Sequence, residues 1–220
     1  MSSIRLTKKN IELLELVGKF RFLSQVLLAK YFGASEESIR LMGYKLSKGG
    51  FLRVEKVFYD GQRYFLLDKL AVSYLDVKYF KKINYVTLVH DDLVYQIAIN
   101  EIMNKKEVAL EYELKEQYLL KFEKNKDIFL PDLLINNEIA IEVELNIKEL
   151  KKRLIKINKY NQDTTIKKVV WISNKPLVLK KLYEISNNIK HEFYIFEDNI
   201  LNYKKFDVTT VKHQVREFTI

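Results

Sequence analysis

The chain contains no cysteine, so neither a disulfide nor a thiolate-ligated metal can hold its fold together. Its 220 residues, 48% of them apolar, must therefore fold around an ordinary hydrophobic core. The sequence has six glycines and two prolines, and no GxGxxG or GxxxxGK[ST] phosphate loop. No apolar run approaches the length of a membrane span, and no apolar signal core follows Met1. We expect a cytoplasmic protein that does not act at a membrane.

Positive charge is concentrated in the first part of the chain. Residues 1–90 contain 16 Lys and Arg against 8 Asp and Glu, whereas residues 91–220 contain 22 against 21. A basic segment attracts polyanions, because neutralised phosphates release counterions. The distribution favours a nucleic-acid partner for the N-terminal part. A solvated lysine-rich surface is the alternative.

Three short helices and a hairpin are predicted in the first part of the chain. Each helix is preceded by an N-cap residue: Thr7, Ser24 and Ser35. Gly33 is expected to end the second helix in a left-handed conformation. After Gly49–Gly50, two apolar runs flank Asp60–Gly61, which is typical of a β-hairpin, and Asp68 is expected to begin a closing helix. The pattern predicts a winged helix-turn-helix domain over residues 1–78.

The third helix of this domain is the predicted DNA-reading element. Its outward positions, expected to reach phosphates or base edges in the major groove, are Arg40, Tyr44, Lys45 and Lys48. The hairpin is expected to approach the flanking backbone or the minor groove through Arg53, Lys56 and Arg63. Glu36 and Glu37 would repel phosphate at the start of the helix. A domain of this kind can also serve in dimerisation or protein docking, which is the alternative.

A second domain is predicted over residues 90–220, after a linker at 79–89. A helix is expected to begin at Asp91 or Asp92, and residues 107–120 fit either a strand or a helix. A hairpin over 128–145 is followed by a basic helix from about 147 to 160 and by strand, helix and strand up to residue 196. Two hairpin strands followed by this alternation predict an α/β domain with a mixed sheet.

The second strand of that hairpin carries acidic residues. Period-two geometry places Glu142 and Glu144 on one face, and two adjacent carboxylates in an apolar strand repel unless a cation lies between them. A two-residue loop at Asn136–Asn137 would pair Asp132 with Ile141 on the wrong face, whereas a three-residue loop through Glu138 pairs it with Glu142. A shared site therefore requires the longer loop or a bulge.

The basic helix follows this acidic strand directly. Its inward residues are predicted to be Leu150, Leu154 and Ile157, and its outward ones Lys148, Lys151, Lys152, Lys156 and Lys159. A Mg²⁺ or Mn²⁺ ion at Asp132 and Glu142, with a lysine nearby, would activate water for phosphodiester cleavage. In the alternative interpretation, Glu142 and Glu144 form surface ion pairs with lysines of the helix.

The second part of the chain resembles the plasmid replication-relaxation family. The resemblance is carried by Phe129-Leu130-Pro131-Asp132, by Glu142-Val143-Glu144-Leu145-Asn146-Ile147-Lys148 and by Tyr160. Members of this family couple a winged helix to a restriction-endonuclease-like fold of the PD-(D/E)xK type. Residues 7–75 and 90–173 fit that layout.

The resemblance implies a DNA-binding protein of a plasmid or another mobile element that acts at an origin of replication or transfer. It also implies that Asp132, Glu142 and Glu144 are metal ligands. The nuclease signature has a lysine at the position where this chain has Glu144, and the resemblance implies that Lys148 replaces that lysine. Either Lys148 completes a relaxase-type nicking site, or the domain is an inactive accessory factor. Plasmid replication or relaxosome proteins would be its partners. A further alternative is a transcriptional regulator whose C-terminal domain forms a homodimer.

Overall fold

The computed structural model describes residues 5–57, 61–121, 129–146, 150–186, 190–196 and 204–206. These residues form eight helices and nine strands in two sheets, which confirms the mixed α/β class predicted from the sequence. The chain separates into two compact units, Met1–Tyr95 and Gln96–Ile220, with the division inside the helix Leu88–Met103. Among the described residues, no helix combines the length and the apolar character needed to cross a lipid bilayer.

In its described part, the first unit contains four complete helices, the first half of the helix Leu88–Met103 and a small antiparallel sheet. Its elements before residue 76 are α1 (Lys8–Phe20), β1 (Leu23–Ser24), α2 (Gln25–Tyr31), α3 (Glu36–Lys48), β2 (Leu52–Lys56), β3 (Arg63–Leu67) and α4 (Lys69–Leu75). The strand order is β1-β3-β2, so β3 is central and β2 lies at an edge. The sequence-based prediction of three helices followed by a hairpin and a closing helix is confirmed at this level. The predicted turn at Asp60 lies outside the described residues.

The predicted caps explain where these helices begin. The side chains of Thr7, Ser24 and Ser35 each accept a hydrogen bond from a backbone N–H in the first turn, and Asp68 does so at α4. Gly33 has φ of 55°, as predicted for the residue that ends α2. Local side chains therefore set the ends of these helices.

A close approach of α3 to β3 depends on Gly43. A Cβ atom at this position would lie 2.1 Å from the Phe65 ring, which is almost fully buried. Ile39 and Leu46, on the same face of α3, are also buried. The helix therefore packs one apolar face onto the sheet and leaves the opposite face to solvent.

The segment between α4 and α5 (Leu88–Met103), where the linker was predicted, packs against the rest of the first unit. Ile83 is 1% exposed, and the Phe80 ring stacks on Phe22 with ring centroids 6.2 Å apart. The guanidinium of Arg53 donates a hydrogen bond to the Phe80 carbonyl across 2.7 Å. These contacts tie the segment to β2 and to the core.

The second unit is built on a six-stranded mixed sheet. Its elements after α5 are β4 (Val108–Leu110), α6 (Glu111–Lys121), β5 (Leu133–Ile135), β6 (Ile139–Val143), α7 (Leu150–Gln162), β7 (Lys168–Ser173), α8 (Pro176–Ser186), β8 (His191–Ile195) and β9 (Lys204–Lys205). The strand order is β4-β5-β6-β7-β8-β9, with the pairs β6–β7 and β7–β8 parallel and the others antiparallel. Residues 107–120, which fitted either a strand or a helix, contain one of each.

The hairpin of β5 and β6 has the longer of the two loops considered from the sequence. Ile135 pairs with Ile139, so residues 136–138 form a three-residue loop. Asn136 and Asn137 both have positive φ, of 49° and 58°, a conformation that asparagine tolerates better than most residues. Continued by one position, this register sets Asp132 opposite Glu142.

The core of the second unit lies between the sheet and the helices α7 and α8. Its most buried members are Ala140, Ile157, Val169, Trp171, Leu179 and Leu182. Trp171 is a core residue, as predicted. Ile157 faces inward as predicted, whereas Leu154 does not, because it is 42% exposed.

Candidate functional site

Three carboxyl groups lie close to one another at the end of β6. Glu142 and Glu144 are almost fully buried, and both alternate with apolar residues as the strand pattern predicted. Asp132 Oδ2 accepts a hydrogen bond from the Val143 backbone N–H across 2.8 Å. The charge of Asp132 acts on both glutamates, since it contributes to raising the pKa of each. The structure thus brings the three acidic residues singled out in the sequence to one place.

Lys156 of α7 meets this acidic group directly. Its Nζ donates a hydrogen bond to Glu142 Oε2 across 2.6 Å, and the hydroxyl of Tyr160 donates to Glu142 Oε1. The sequence-based prediction placed Lys156 on the outward face, and that placement is wrong because the residue is only 8% exposed. A buried carboxyl needs a cation or donors, and this requirement outweighs the apolar preference that had suggested Leu154 for the inner face.

Arg153 provides a second cation, which sequence reasoning missed. Its Nε forms an ion pair with Glu144 Oε2. Arg153, Lys156 and Tyr160 recur at i, i+3 and i+7 on α7 and therefore share one face of the helix. This spacing of polar residues is visible in the sequence and could have indicated that they share the helix face that meets the acidic strand. Lys148, predicted to serve this site, and the side chain of Leu150 lie outside the described residues.

Burial and charge shift the protonation of this cluster. Burial raises the pKa of Glu142 to about 7, although the charge of Lys156 opposes the shift. Burial also raises the pKa of Glu144, against the opposing effect of Arg153. For Lys156, burial favours loss of the proton, but the charges of Glu142 and Asp132 outweigh it and raise the pKa. Burial, with the charge of Glu142, raises the pKa of Tyr160, so its hydroxyl stays protonated and remains a donor.

The donor chemistry of this cluster suits a hard divalent cation, since three carboxyl groups are available. In the described part of the chain, however, no group of three or more acidic or histidine side chains is arranged to hold a metal ion. Glu142 and Glu144 instead have Lys156 and Arg153 as ionic partners. An ion at this place would have to displace at least one of these cations. The Mg²⁺ or Mn²⁺ site stays a prediction.

The predicted DNA-reading face of α3 is exposed. Tyr44, Lys45 and Lys48 all face solvent, and Lys48 Nζ lies 4.7 Å from the centroid of the Tyr44 ring. Arg40 is held by Glu37, which accepts hydrogen bonds from Nε at 2.7 Å and from Nη2 at 2.5 Å. Three of the four predicted residues are thus open to a partner, and Arg40 is engaged within its own helix.

The hairpin residues differ in their surroundings. Lys56 is exposed at the end of β2, where it pairs with Arg63, and Arg63 Nη1 donates to Gln25 Oε1 across 3.5 Å. Arg53 bonds to the Phe80 carbonyl and lies 3.5 Å from Glu55. Arg53 therefore has a structural role within the unit. Contact of these three residues with DNA stays a prediction.

Comparison of the chain with models of known protein families, with characterised proteins and with solved structures gives no significant match. The function must therefore be argued from the residues of this chain.

Proposed function

We propose that the protein binds double-stranded DNA through its first unit, with α3 in the major groove. The observation that carries this proposal is the solvent-facing surface of α3, on which Tyr44 lies among Lys45 and Lys48. Lysines supply contacts to phosphates, and a tyrosine on the same face offers a hydroxyl to the groove. The role at an origin of replication or transfer of a mobile element is part of the same proposal.

The arrangement of the first unit supports a winged helix-turn-helix assignment. Two consecutive helices, α2 and α3, are joined by a turn that contains Gly33, and a hairpin follows α3. Lys56 and Arg63 pair near the end of that hairpin, where a wing would approach the DNA backbone. Glu36 and Glu37 oppose phosphate at the start of α3, which favours contact through the middle and the end of the helix.

The test of DNA binding is fluorescence anisotropy with a labelled duplex of mixed sequence and the full chain. The double variant Lys45→Ala/Lys48→Ala should bind more weakly. The plot of log K against log salt should become less steep by about 0.9 for each of the two lost phosphate contacts. Lys180→Ala/Lys181→Ala removes the same charge from α8 of the second unit and should leave that slope unchanged. Equal behaviour of the two variants would contradict the proposed role of α3.

A second candidate function is metal-dependent cleavage of DNA by a restriction-endonuclease-like second unit. It is favoured by the position of Lys156 Nζ, 2.6 Å from Glu142, because such nucleases need a lysine beside their carboxylates. In this proposal Asp132, Glu142 and Glu144 bind the cation, and Lys156 takes the place that the resemblance assigned to Lys148. A bound Mg²⁺ or Mn²⁺ would supply an activated water and charge stabilisation at the phosphate. Without cleavage activity, the same unit would act as an accessory factor that brings a partner to the DNA.

Cleavage is tested with supercoiled plasmid, Mn²⁺ and the full chain, scored for open circles. The wild type should nick the plasmid, and Asp132→Asn should not, while both should bind duplex DNA equally. Binding of Mn²⁺ measured by titration calorimetry gives a readout that does not depend on activity. Absence of both nicking and Mn²⁺ binding would leave the accessory-factor function and the DNA-binding proposal standing.

A further inference from the structure

The strap, residues 77–87, lies between Asp76, the C-cap residue of α4, and the start of α5, and it has no regular secondary structure apart from turns. The strap is nevertheless anchored to the first unit. Ile83 is buried, and Phe80 stacks on Phe22. The guanidinium of Arg21 lies 5.8 Å from the centroid of the Phe80 ring on the same unit. An irregular segment with such anchors holds its exposed side chains in defined places.

The strap follows the edge strand β2 of the hairpin. Arg53 donates a hydrogen bond to the Phe80 carbonyl and lies 5.3 Å from the centroid of the Tyr79 ring. The Tyr85 hydroxyl donates to Glu55 Oε2 across 3.5 Å. Because Arg53 and Glu55 lie on one strand in this order, the strap runs along β2 towards Lys56. Side chains two positions apart on a strand project from the same face, so the strap lies over the face of β2 that carries Arg53 and Glu55.

All charged side chains of the strap are positive. It contains three lysines, Lys78, Lys81 and Lys82, and no aspartate or glutamate. All three lysines are exposed, while their apolar neighbours Phe80 and Ile83 are partly and fully buried, respectively. Clustered, exposed lysines without neighbouring acidic residues in the same segment are typical of a surface that meets a polyanion.

We infer that the strap is a second contact surface for duplex DNA, which binds the phosphate backbone beside the hairpin. The inference rests on the proposed DNA binding by α3 and extends it to residues outside the helix-turn-helix. Lysines act as point charges on phosphates, so the strap adds affinity and positions the hairpin without reading sequence. Backbone phosphates are the fitting partner rather than unpaired bases, because the ring of Tyr79 is already engaged by Arg53.

The experiment measures duplex binding by the full chain over a salt series from about 50 to 200 mM. The double variant Lys81→Ala/Lys82→Ala should lower the slope of log K against log salt by about 0.9 for each lost phosphate contact. The loss of affinity should be the same for duplexes of unrelated sequence. Both lysines are exposed, so circular dichroism should show an unchanged fold. Charge reversal with Lys81→Glu/Lys82→Glu should weaken binding further.

The matched control is Lys180→Ala/Lys181→Ala, which has the same net charge as the strap variant. If both variants bind as the wild type does while Lys45→Ala/Lys48→Ala binds more weakly, the strap inference is overturned and the proposed function stands. If the strap variant loses affinity for single-stranded DNA alone, the assignment to duplex backbone is overturned. If the wild type shows no salt-dependent duplex binding, the proposed function fails and the inference fails with it.

Discussion

Lys156 of α7 donates a hydrogen bond to Glu142 of β6 across 2.6 Å, and both side chains are almost fully buried. Burying two charges costs solvation that their attraction only partly offsets, so such a pair adds little net stability. Removal of one partner is different, because the other charge stays buried without compensation. The pair therefore fixes which face of α7 meets the sheet, and Tyr160 strengthens this choice by donating to the same carboxyl group.

Lys156→Met should lower the free energy of unfolding by about 3–5 kcal/mol, the range for breaking a buried ion pair. Methionine keeps the unbranched apolar stem of lysine but removes the ammonium group that faces Glu142. The measurement is urea denaturation at a pH above 7. The matched control is Lys152→Met, one turn earlier on the exposed side of α7, which should change stability by less than about 0.5 kcal/mol. Equal effects of the two variants would contradict the buried ion pair.

The stability of the second unit should fall as pH rises through the pKa of Glu142. The folded-state pKa of this carboxyl, about 7, is raised above its ordinary value of 4.5 by burial. A group with a raised folded pKa contributes stability that is fully present below pH 4.5 and is lost as pH rises through 7. Glu142→Gln keeps an uncharged side chain of the same shape and should remove this loss between pH 5 and 8. Denaturation at several pH values in metal-free buffer measures the effect, and an unchanged pH profile would refute it.

Much of the architecture could be predicted from the sequence because it depends on local signals. The caps Thr7, Ser24 and Ser35 determine where three helices begin, and a short continuous run of apolar residues identifies β7 as a buried strand. For the hairpin loop, the sequence allowed two lengths, and each length places Asp132 on a different face of the sheet. The choice between them depended on the backbone of Asn136 and Asn137, which only the structure gives.

The partners of the acidic residues could not be predicted in the same way. Apolar periodicity assigns leucine to the core and lysine to solvent, so it placed Leu154 inside and Lys156 outside. The real orientation of α7 depends on an interaction between residues 14 positions apart, Glu142 and Lys156. Such a pair becomes visible only when the helix lies against the sheet. Likewise, the sequence alone does not show that Arg40 forms an ion pair with Glu37, three positions earlier on the same helix, and the structure does.

Glu37→Gln should strengthen binding to duplex DNA. Glu37 holds Arg40 through two hydrogen bonds and also adds a negative charge at the start of α3. Its removal releases the guanidinium to a phosphate, so the slope of log K against log salt should become steeper by about 0.9. Anisotropy with a labelled duplex measures both quantities. The control is Glu116→Gln on α6, which makes the same charge change in the second unit and should leave binding unaltered. Weaker binding of the Glu37 variant would contradict the competition between Glu37 and phosphate.

Gly43→Ala should destabilise the first unit by about 1–3 kcal/mol, the usual cost of overpacking a core. The added methyl group would lie 2.1 Å from the buried Phe65 ring, so α3 and β3 would have to separate. Gly18→Ala is the matched control, because its Cβ would lie 3.2 Å from the end of the flexible Leu67 side chain. There the gain in helix propensity, about 1 kcal/mol, should offset the contact. Thermal denaturation followed by circular dichroism compares the two, and equal melting temperatures would contradict the close packing.

His191 should stay neutral in the folded protein at pH values where an ordinary histidine is protonated. Its Nδ1 accepts a hydrogen bond from Trp171 Nε1 across 2.9 Å, so Nε2 carries the proton and donates to Asn161 Oδ1 across 2.9 Å. Burial, with the charge of Lys190, lowers the pKa of the ring from 6.5 to about 4.

Nuclear magnetic resonance of the imidazole signals between pH 4 and 8 measures this pKa directly, and His191→Gln assigns the signal by its loss. A group with a lowered folded pKa of this kind contributes stability above pH 6.5, which is lost as pH falls towards 4. The loss of stability on acidification should therefore be smaller in His191→Gln than in the wild type. Glu142→Gln, in contrast, should reduce the loss of stability that occurs as pH rises. Protonation of Nδ1 removes the lone pair that accepts the hydrogen bond from Trp171. A ring that titrates near 6.5 in the folded protein would therefore mean that this hydrogen bond is not maintained in solution.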